Sequence, residues 1–125
     1  MFLLDSDIAI WILRSNSAVV QAVSKIVSEK RVYVSCATVA EIYKNWKQNE
    51  LLKYHQFFKL HPQIPIDSFV AEIAGRYWKQ YRGINQNTVD YFIAATCKIH
   101  KLTLLTMNTK HYPMKDIKVI DPITV

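Results

Sequence analysis

The stretch Phe2-Leu3-Leu4-Asp5-Ser6-Asp7 constrains this chain more than any other. Three apolar residues run straight into an acidic cluster, and an apolar helical pattern follows at once in Ile8, Ile10, Trp11, Ile12 and Leu13. A short, continuously apolar run suits a strand buried on both faces, as in a parallel sheet. Asp5 then stands at the strand's carboxyl end, where open α/β sheets keep their ligand sites. We read Asp5 as one of three carboxylates gathered at that edge to hold a divalent metal.

Strands and helices alternate along the rest of the chain. The pattern gives a strand at about 2–5, a helix from about Asp7 to Arg14, and a second from about Ala18 to Glu29 with Val19, Val20, Val23, Ile26 and Val27 inward. Val32-Tyr33-Val34 is the second strand. Thr38-Val39-Ala40-Glu41 has capping-box spacing and opens a helix carrying Ile42, Tyr43 and Trp46. Another helix spans about 50–60. Pro62 and Pro65 bracket an edge strand, Gln63–Ile66. Asp67 or Ser68 caps a long helix with a stripe of Phe69, Val70, Ile73, Ala74, Tyr77, Trp78 and Tyr81, which Arg82-Gly83 ends. A polar loop at Ile84–Asn87 precedes a helix from about Thr88 to Ile99. Thr103–Thr106 is the fourth strand and Ile117–Ile120 the last. This order specifies an α/β fold, with right-handed crossovers and one parallel β-sheet of about five strands flanked by helices.

At 125 residues the chain is expected to form a single domain, residues 1–125. Lys and Arg outnumber Asp and Glu by 16 to 10, which favours a polyanionic partner. Cys36 and Cys97 lie in apolar, motif-free surroundings and read as reduced core residues of a cytoplasmic protein. No apolar run approaches a membrane span, and no charged segment precedes an apolar one as in a signal peptide.

Asp5, Glu41 and Asp90 each fall in the first turn or at the cap of an expected helix. Acidic residues there accept orphan N–H groups and complement the helix dipole, so each taken singly fits a capping role. Asp90 fits that role least well alone. It shares a helical face with Ile93, Ala94 and Cys97, and a carboxylate on an apolar stripe needs a partner. Asp67 and Asp121 also follow strands, so position in the sheet must discriminate.

The chain resembles PIN-domain ribonucleases of the VapC toxin type. The residues that carry the resemblance are Leu3-Leu4-Asp5-Ser6, Val39-Ala40-Glu41-Ile42, Asp90-Tyr91-Phe92-Ile93-Ala94-Ala95-Thr96 and Leu102-Thr103-Leu104-Leu105-Thr106-Met107-Asn108. It implies that the first and fourth strands lie side by side at the sheet centre, that Asp5, Glu41 and Asp90 converge, and that Asp67 and Asp121 lie at the edges. Asn108 stands at the family's fourth acidic position and His111 where an Asp is frequent, which leaves a second metal open. Asp7 either supplies the missing charge or points to solvent.

Oxygen ligands select hard cations, so Mg2+ or Mn2+ is the expected cofactor. Asp5 and Asp90 are expected as direct ligands, and Glu41 as a ligand through water or as the base that positions the attacking water. Ser6, Thr106 and Asn108 are expected to contact the ligands or the substrate. The reaction expected from the resemblance is metal-dependent hydrolysis of RNA, and the family implies a structured RNA, often tRNA, and a cognate antitoxin that blocks the site. Lys44, Lys47, Arg76, Lys79, Arg82 and Lys110 are available to offset the carboxylates towards RNA, although each is also an ordinary surface residue. The stripe on the 68–82 helix faces either a second copy in a homodimer or only the sheet. Two rivals remain: a phosphoacceptor receiver domain, which lacks its lysine strand here, and a degenerate PIN-like binding module, which Asn108 makes credible. A DNA-binding regulator finds no helix-turn-helix signature.

Overall fold

The computed structural model describes residues 1–83 and 87–125. Five parallel strands form one sheet in the order β3-β2-β1-β4-β5. They are β1 (Phe2–Leu4), β2 (Val32–Ser35), β3 (Gln63–Ile64), β4 (Thr103–Leu105) and β5 (Lys118–Ile120). The helices are α1 (Ser6–Leu13), α2 (Ser17–Val27), α3 (Cys36–Lys44), α4 (Leu51–Leu60), α5 (Ser68–Tyr81) and α6 (Thr88–His100). The expected element order holds throughout, and β1 and β4 are neighbours at the centre. Of the expected loop at Ile84–Asn87, the first three positions lie outside the described residues, and Asn87 is the N-cap of α6.

Alternation along each strand divides the core. Leu3 and Leu104 point to the face covered by α5 and α6, whereas Phe2, Leu4 and Leu105 point to the face covered by α1, α2 and α4. Leu3, Leu4, Leu104 and Leu105 are completely buried, and burial of such a side chain stabilises by roughly 1.5–3 kcal/mol. Apolarity at consecutive positions is therefore required in the two central strands, because both faces are dry. Among the described residues no helix is long and apolar enough to cross a membrane.

Several local expectations are corrected. Ser35, not Thr38, caps α3: its hydroxyl accepts from the Ala37 amide at 3.0 Å. Thr38 lies inside the helix, fully buried, so Glu41 is beyond the first turn and has no capping role. Cys36, the first residue of α3, is exposed; only Cys97 is a core thiol. Burial raises the Cys97 pKa, which suits an inert packing residue. Val20 on α2 faces outward. On α5 the inner stripe reduces to Val70, Ala74 and Tyr77, with Ile73 and Tyr81 packed at its margin, while Phe69 and Trp78 are exposed. The edge strand β3 is shorter than its two proline brackets suggested.

Candidate active site

Each central strand delivers polar residues to the same sheet edge as it ends. β1 runs out into Asp5, which is the N-cap of α1, and β4 runs out into Thr106 beside it. Asp5 divides its two oxygens between two duties. Oδ1 accepts from the Ser6 amide at 2.8 Å, a local capping bond. Oδ2 turns inward and accepts from the Thr106 hydroxyl at 2.9 Å and the Tyr112 hydroxyl at 2.9 Å.

Asp90 is built in the same way. It forms a complete capping box with Asn87, whose side chain accepts from the Asp90 amide while Asp90 Oδ2 accepts from the Asn87 amide at 3.0 Å. Oδ1 faces the other way and lies 3.2 Å from the Tyr112 hydroxyl. Capping and clustering are therefore both true of Asp5 and Asp90, one oxygen for each. The expected face of α6 is also present: Asp90 is 6% exposed, in line with the buried Ile93, Ala94 and Cys97.

Glu41 reaches the cluster from α3 through Ser6, whose hydroxyl donates to Glu41 Oε1. Since that uses the only Ser6 hydroxyl proton, Thr38 must be the donor in its 3.0 Å contact with Ser6. Ser6 and Thr106 thus each touch a carboxylate. Asn108 does not join the Asp5–Asp90 pair. It is exposed, its amide nitrogen donates to Asp7 Oδ2 at 3.3 Å, and its backbone N–H donates to Thr106 at 3.0 Å. Asp7 does not point to solvent: Oδ2 accepts from the Met107 amide at 3.0 Å and pins the segment after β4 to the start of α1. Asp67 caps α5 beyond the edge strand β3, and Asp121 follows the opposite edge.

Tyr112 escaped the sequence reading, and His111 entered it only as a departure from the family's Asp. Tyr112, buried, puts one phenolic proton between two carboxylates. His111 places Nδ1 3.4 Å from Asp90 Oδ2. The available signal was a polar aromatic and a histidine in the short turn directly after an acid-facing strand.

Negative charge here is poorly compensated. Among the described residues no lysine or arginine pairs with Asp5, Asp90 or Glu41, and His111 is the only base in ion-pair range. Burial first, and then the charge of Asp7, pushes the Asp5 pKa up to about 7, against the opposing hydrogen bonds from Thr106, Ser6 and Tyr112. Burial also raises Asp7. Tyr112 is raised strongly by burial and by the two carboxylates, so its hydroxyl keeps its proton. An all-oxygen, buried, charge-excess donor set fits a hard divalent cation. The hydroxyls of Tyr112 and Ser6 stand between the carboxylates, and among the described residues no three His, Cys, Asp or Glu side chains are grouped as a ready-made metal cage.

Beside Glu41 opens a cleft of about 330 Å³, with Ile10, Leu13, Ile42 and Tyr54 on its walls and Arg14 and Lys47 among its polar lining.

Ribonuclease VapC10 of Mycobacterium tuberculosis is 31% identical over 120 residues, covering 91% of this chain and 87% of that protein. Ribonuclease VapC19 of the same organism is 29% identical over 117 residues, covering 91% and 94%. In three dimensions, the FitAcB structure from Neisseria gonorrhoeae superposes with a TM-score of 0.80 at 29% identity, covering all of both chains. The DNA-bound VapBC structure from Salmonella typhimurium gives 0.82 at 19% identity, covering 97% of each, and so supports the fold. Residues 2–117 match the PIN domain family. With the family match running over nearly the whole length, this chain belongs to the PIN-domain family, alongside the VapC ribonucleases.

Proposed function

We propose that this protein is a metal-dependent endoribonuclease that hydrolyses RNA phosphodiester bonds, and that it is the toxin half of a toxin–antitoxin pair. The observation that carries the reading is the inward pairing of Asp5 and Asp90, two buried carboxylates that share a single phenolic proton and, among the described residues, pair with no lysine or arginine.

Asp5 and Asp90 would hold Mg2+ or Mn2+, with Glu41 completing the set through water. Such an ion, when bound, lowers the pKa of water and offsets charge on a phosphate. The chain's own groups supply the rest. Ser6 orients Glu41, the residue best exposed to accept a proton from an attacking water. Thr106 fixes Asp5, and the Asn87 capping box fixes Asp90, so neither ligand needs to reorganise during the reaction.

RNA is the favoured substrate class for two reasons. The relatives named above are ribonucleases, and the acidic centre borders cationic side chains that can receive a phosphate backbone. Lys47 and Arg14 line the cleft beside Glu41, and Lys44 is exposed on the same helix as Glu41. A structured RNA such as tRNA fits this reading. Of the similar structures, one from Klebsiella pneumoniae is described as a toxin–antitoxin complex and one from Mycobacterium tuberculosis as a member of the VapBC family of toxin–antitoxin systems, and the part-apolar cleft on Glu41's flank suits an antitoxin segment that covers the site. The exposed Phe69 and Trp78 of α5 suit a homodimer contact.

A binding module without catalysis is the second reading, favoured by the neutral Asn108 where the family's fourth acid stands. The two are separated by incubating purified protein with total cellular RNA, first with EDTA and then with Mg2+ or Mn2+ restored. Cleavage only with metal supports the enzyme. RNA retention without cleavage under every condition, from denatured and refolded protein free of any inhibitor, supports the binding module.

A further inference from the structure

We infer that Tyr112 is a built-in competitor for the cation, its hydroxyl bridging the two carboxylate oxygens that a divalent ion must take. This rests on the metal-site reading above. The phenolic oxygen lies 2.9 Å from Asp5 Oδ2 and 3.2 Å from Asp90 Oδ1. The outer oxygens of the same pair are already engaged by backbone amides, Asp5 Oδ1 by Ser6 and Asp90 Oδ2 by Asn87. The inner oxygens are the pair that meet at the phenol, so an ion shared by the two residues draws on them. Asp5 Oδ2 accepts from Thr106 as well, so both of its lone-pair directions are filled while the phenol is in place.

The phenol is not free to swing aside. Tyr112 is buried, its ring packs in the core between the sheet and α5 and α6, and its amide donates to Thr109 at 3.0 Å in the turn after β4. Cation entry must break at least one hydrogen bond to a carboxylate and shift this turn. Tyr112 is thus a positioning residue: it keeps the ion-free centre closed and sets how much divalent ion is needed to open it. A phenylalanine would preserve the ring and remove the competitor. It would also leave the two inner oxygens without their shared donor, which favours the ion further.

The test is Mn2+ binding, read as the loss of the free-ion electron paramagnetic resonance signal, for wild type, Tyr112→Phe and Asp5→Asn. Tyr112→Phe is expected to bind Mn2+ roughly tenfold more tightly, the size of one hydrogen bond to a charged group. Equal or weaker binding by folded Tyr112→Phe overturns the inference. If wild type still binds and Asp5→Asn does not, the metal site stands without it, whereas no Mn2+ binding by wild type or Tyr112→Phe overturns both. A second measurement needs no variant: Mg2+ added to wild type is expected to give a near-ultraviolet tyrosine difference spectrum that saturates with binding. Saturable binding with no tyrosine signal also overturns the inference.

Discussion

Replacing Asp5 by Asn should stabilise the ion-free protein, and the gain should grow with pH. Asp5 is buried and its pKa is raised from 3.8 to about 7, chiefly by burial. A raised carboxyl pKa means that the fold prefers the protonated form. The associated stability is fully present below the unfolded-state pKa near 4 and is lost as pH rises towards 7. At pH 8 the ionised carboxylate costs the wild type about 4 kcal/mol relative to its protonated form, from a shift of about three pKa units at 1.36 kcal/mol each. Roughly 2.5 kcal/mol of that is incurred between pH 5 and pH 8. Asn keeps an acceptor for the Ser6 amide, and its amide protons can be received by the Thr106 and Tyr112 hydroxyls once these rotate. The assay is urea unfolding in EDTA, followed by circular dichroism. Asp5→Asn should exceed wild type by roughly 2–4 kcal/mol at pH 8, with the difference shrinking by about 2.5 kcal/mol at pH 5. Mg2+ should then stabilise wild type and leave the variant unchanged. A variant that is less stable than wild type by the same amount at every pH would refute the reasoning, because Asp5 would then be a satisfied, ordinarily ionised cap.

Other perturbations separate the parts of the site. Glu41→Gln should lower RNA cleavage by roughly a hundredfold or more while leaving the unfolding midpoint nearly unchanged, since Glu41 is only partly buried and caps nothing; a comparable rate in the two proteins would remove it from the chemistry. Thr106→Val deletes the donor to Asp5 Oδ2 and the acceptor of the Asn108 amide, and should cost about 1–3 kcal/mol in unfolding experiments at pH 8, with a smaller loss at pH 4, where Asp5 is protonated and the Asn108 bond alone is missed. Asn108→Asp turns a donor 3.3 Å from Asp7 Oδ2 into a like charge. It should therefore destabilise the ion-free protein and make its melting temperature more responsive to Mn2+ than that of wild type. Lys101 ends α6 in the left-handed region at φ 55°, so Lys101→Gly should stabilise by up to about 1 kcal/mol in thermal unfolding without altering cleavage.

What could be read from the sequence follows the range of the forces involved. Phe2-Leu3-Leu4 and Leu104-Leu105 declare their double burial through composition alone, and the alternation of helix and strand leaves few topologies to consider. Asp90 on an apolar stripe was a visible conflict between charge and burial, and it marks the buried acidic cluster. The Thr38–Glu41 spacing misled because Ser35 offers an equally good cap three residues earlier. The choice between them depends on where β2 stops pairing with β3, a tertiary matter. Tyr112 was hidden for a stronger reason. Its hydroxyl meets a residue 107 positions away, and only the adjacency of β1 and β4 and the turn after β4 bring the two together. Cys36 shows the limit of local composition: apolar neighbours in sequence are not neighbours in space when a helix begins at that residue.

The most direct measurement is the rate of RNA cleavage as a function of Mn2+ for wild type, Asp5→Asn and Asp90→Asn, each confirmed to be folded. The expected result is cleavage that rises and saturates with Mn2+ in wild type and stays at background in both variants. Unchanged, metal-independent cleavage in both variants would contradict the central claim, and Asp5 and Asp90 would then be helix caps and nothing more.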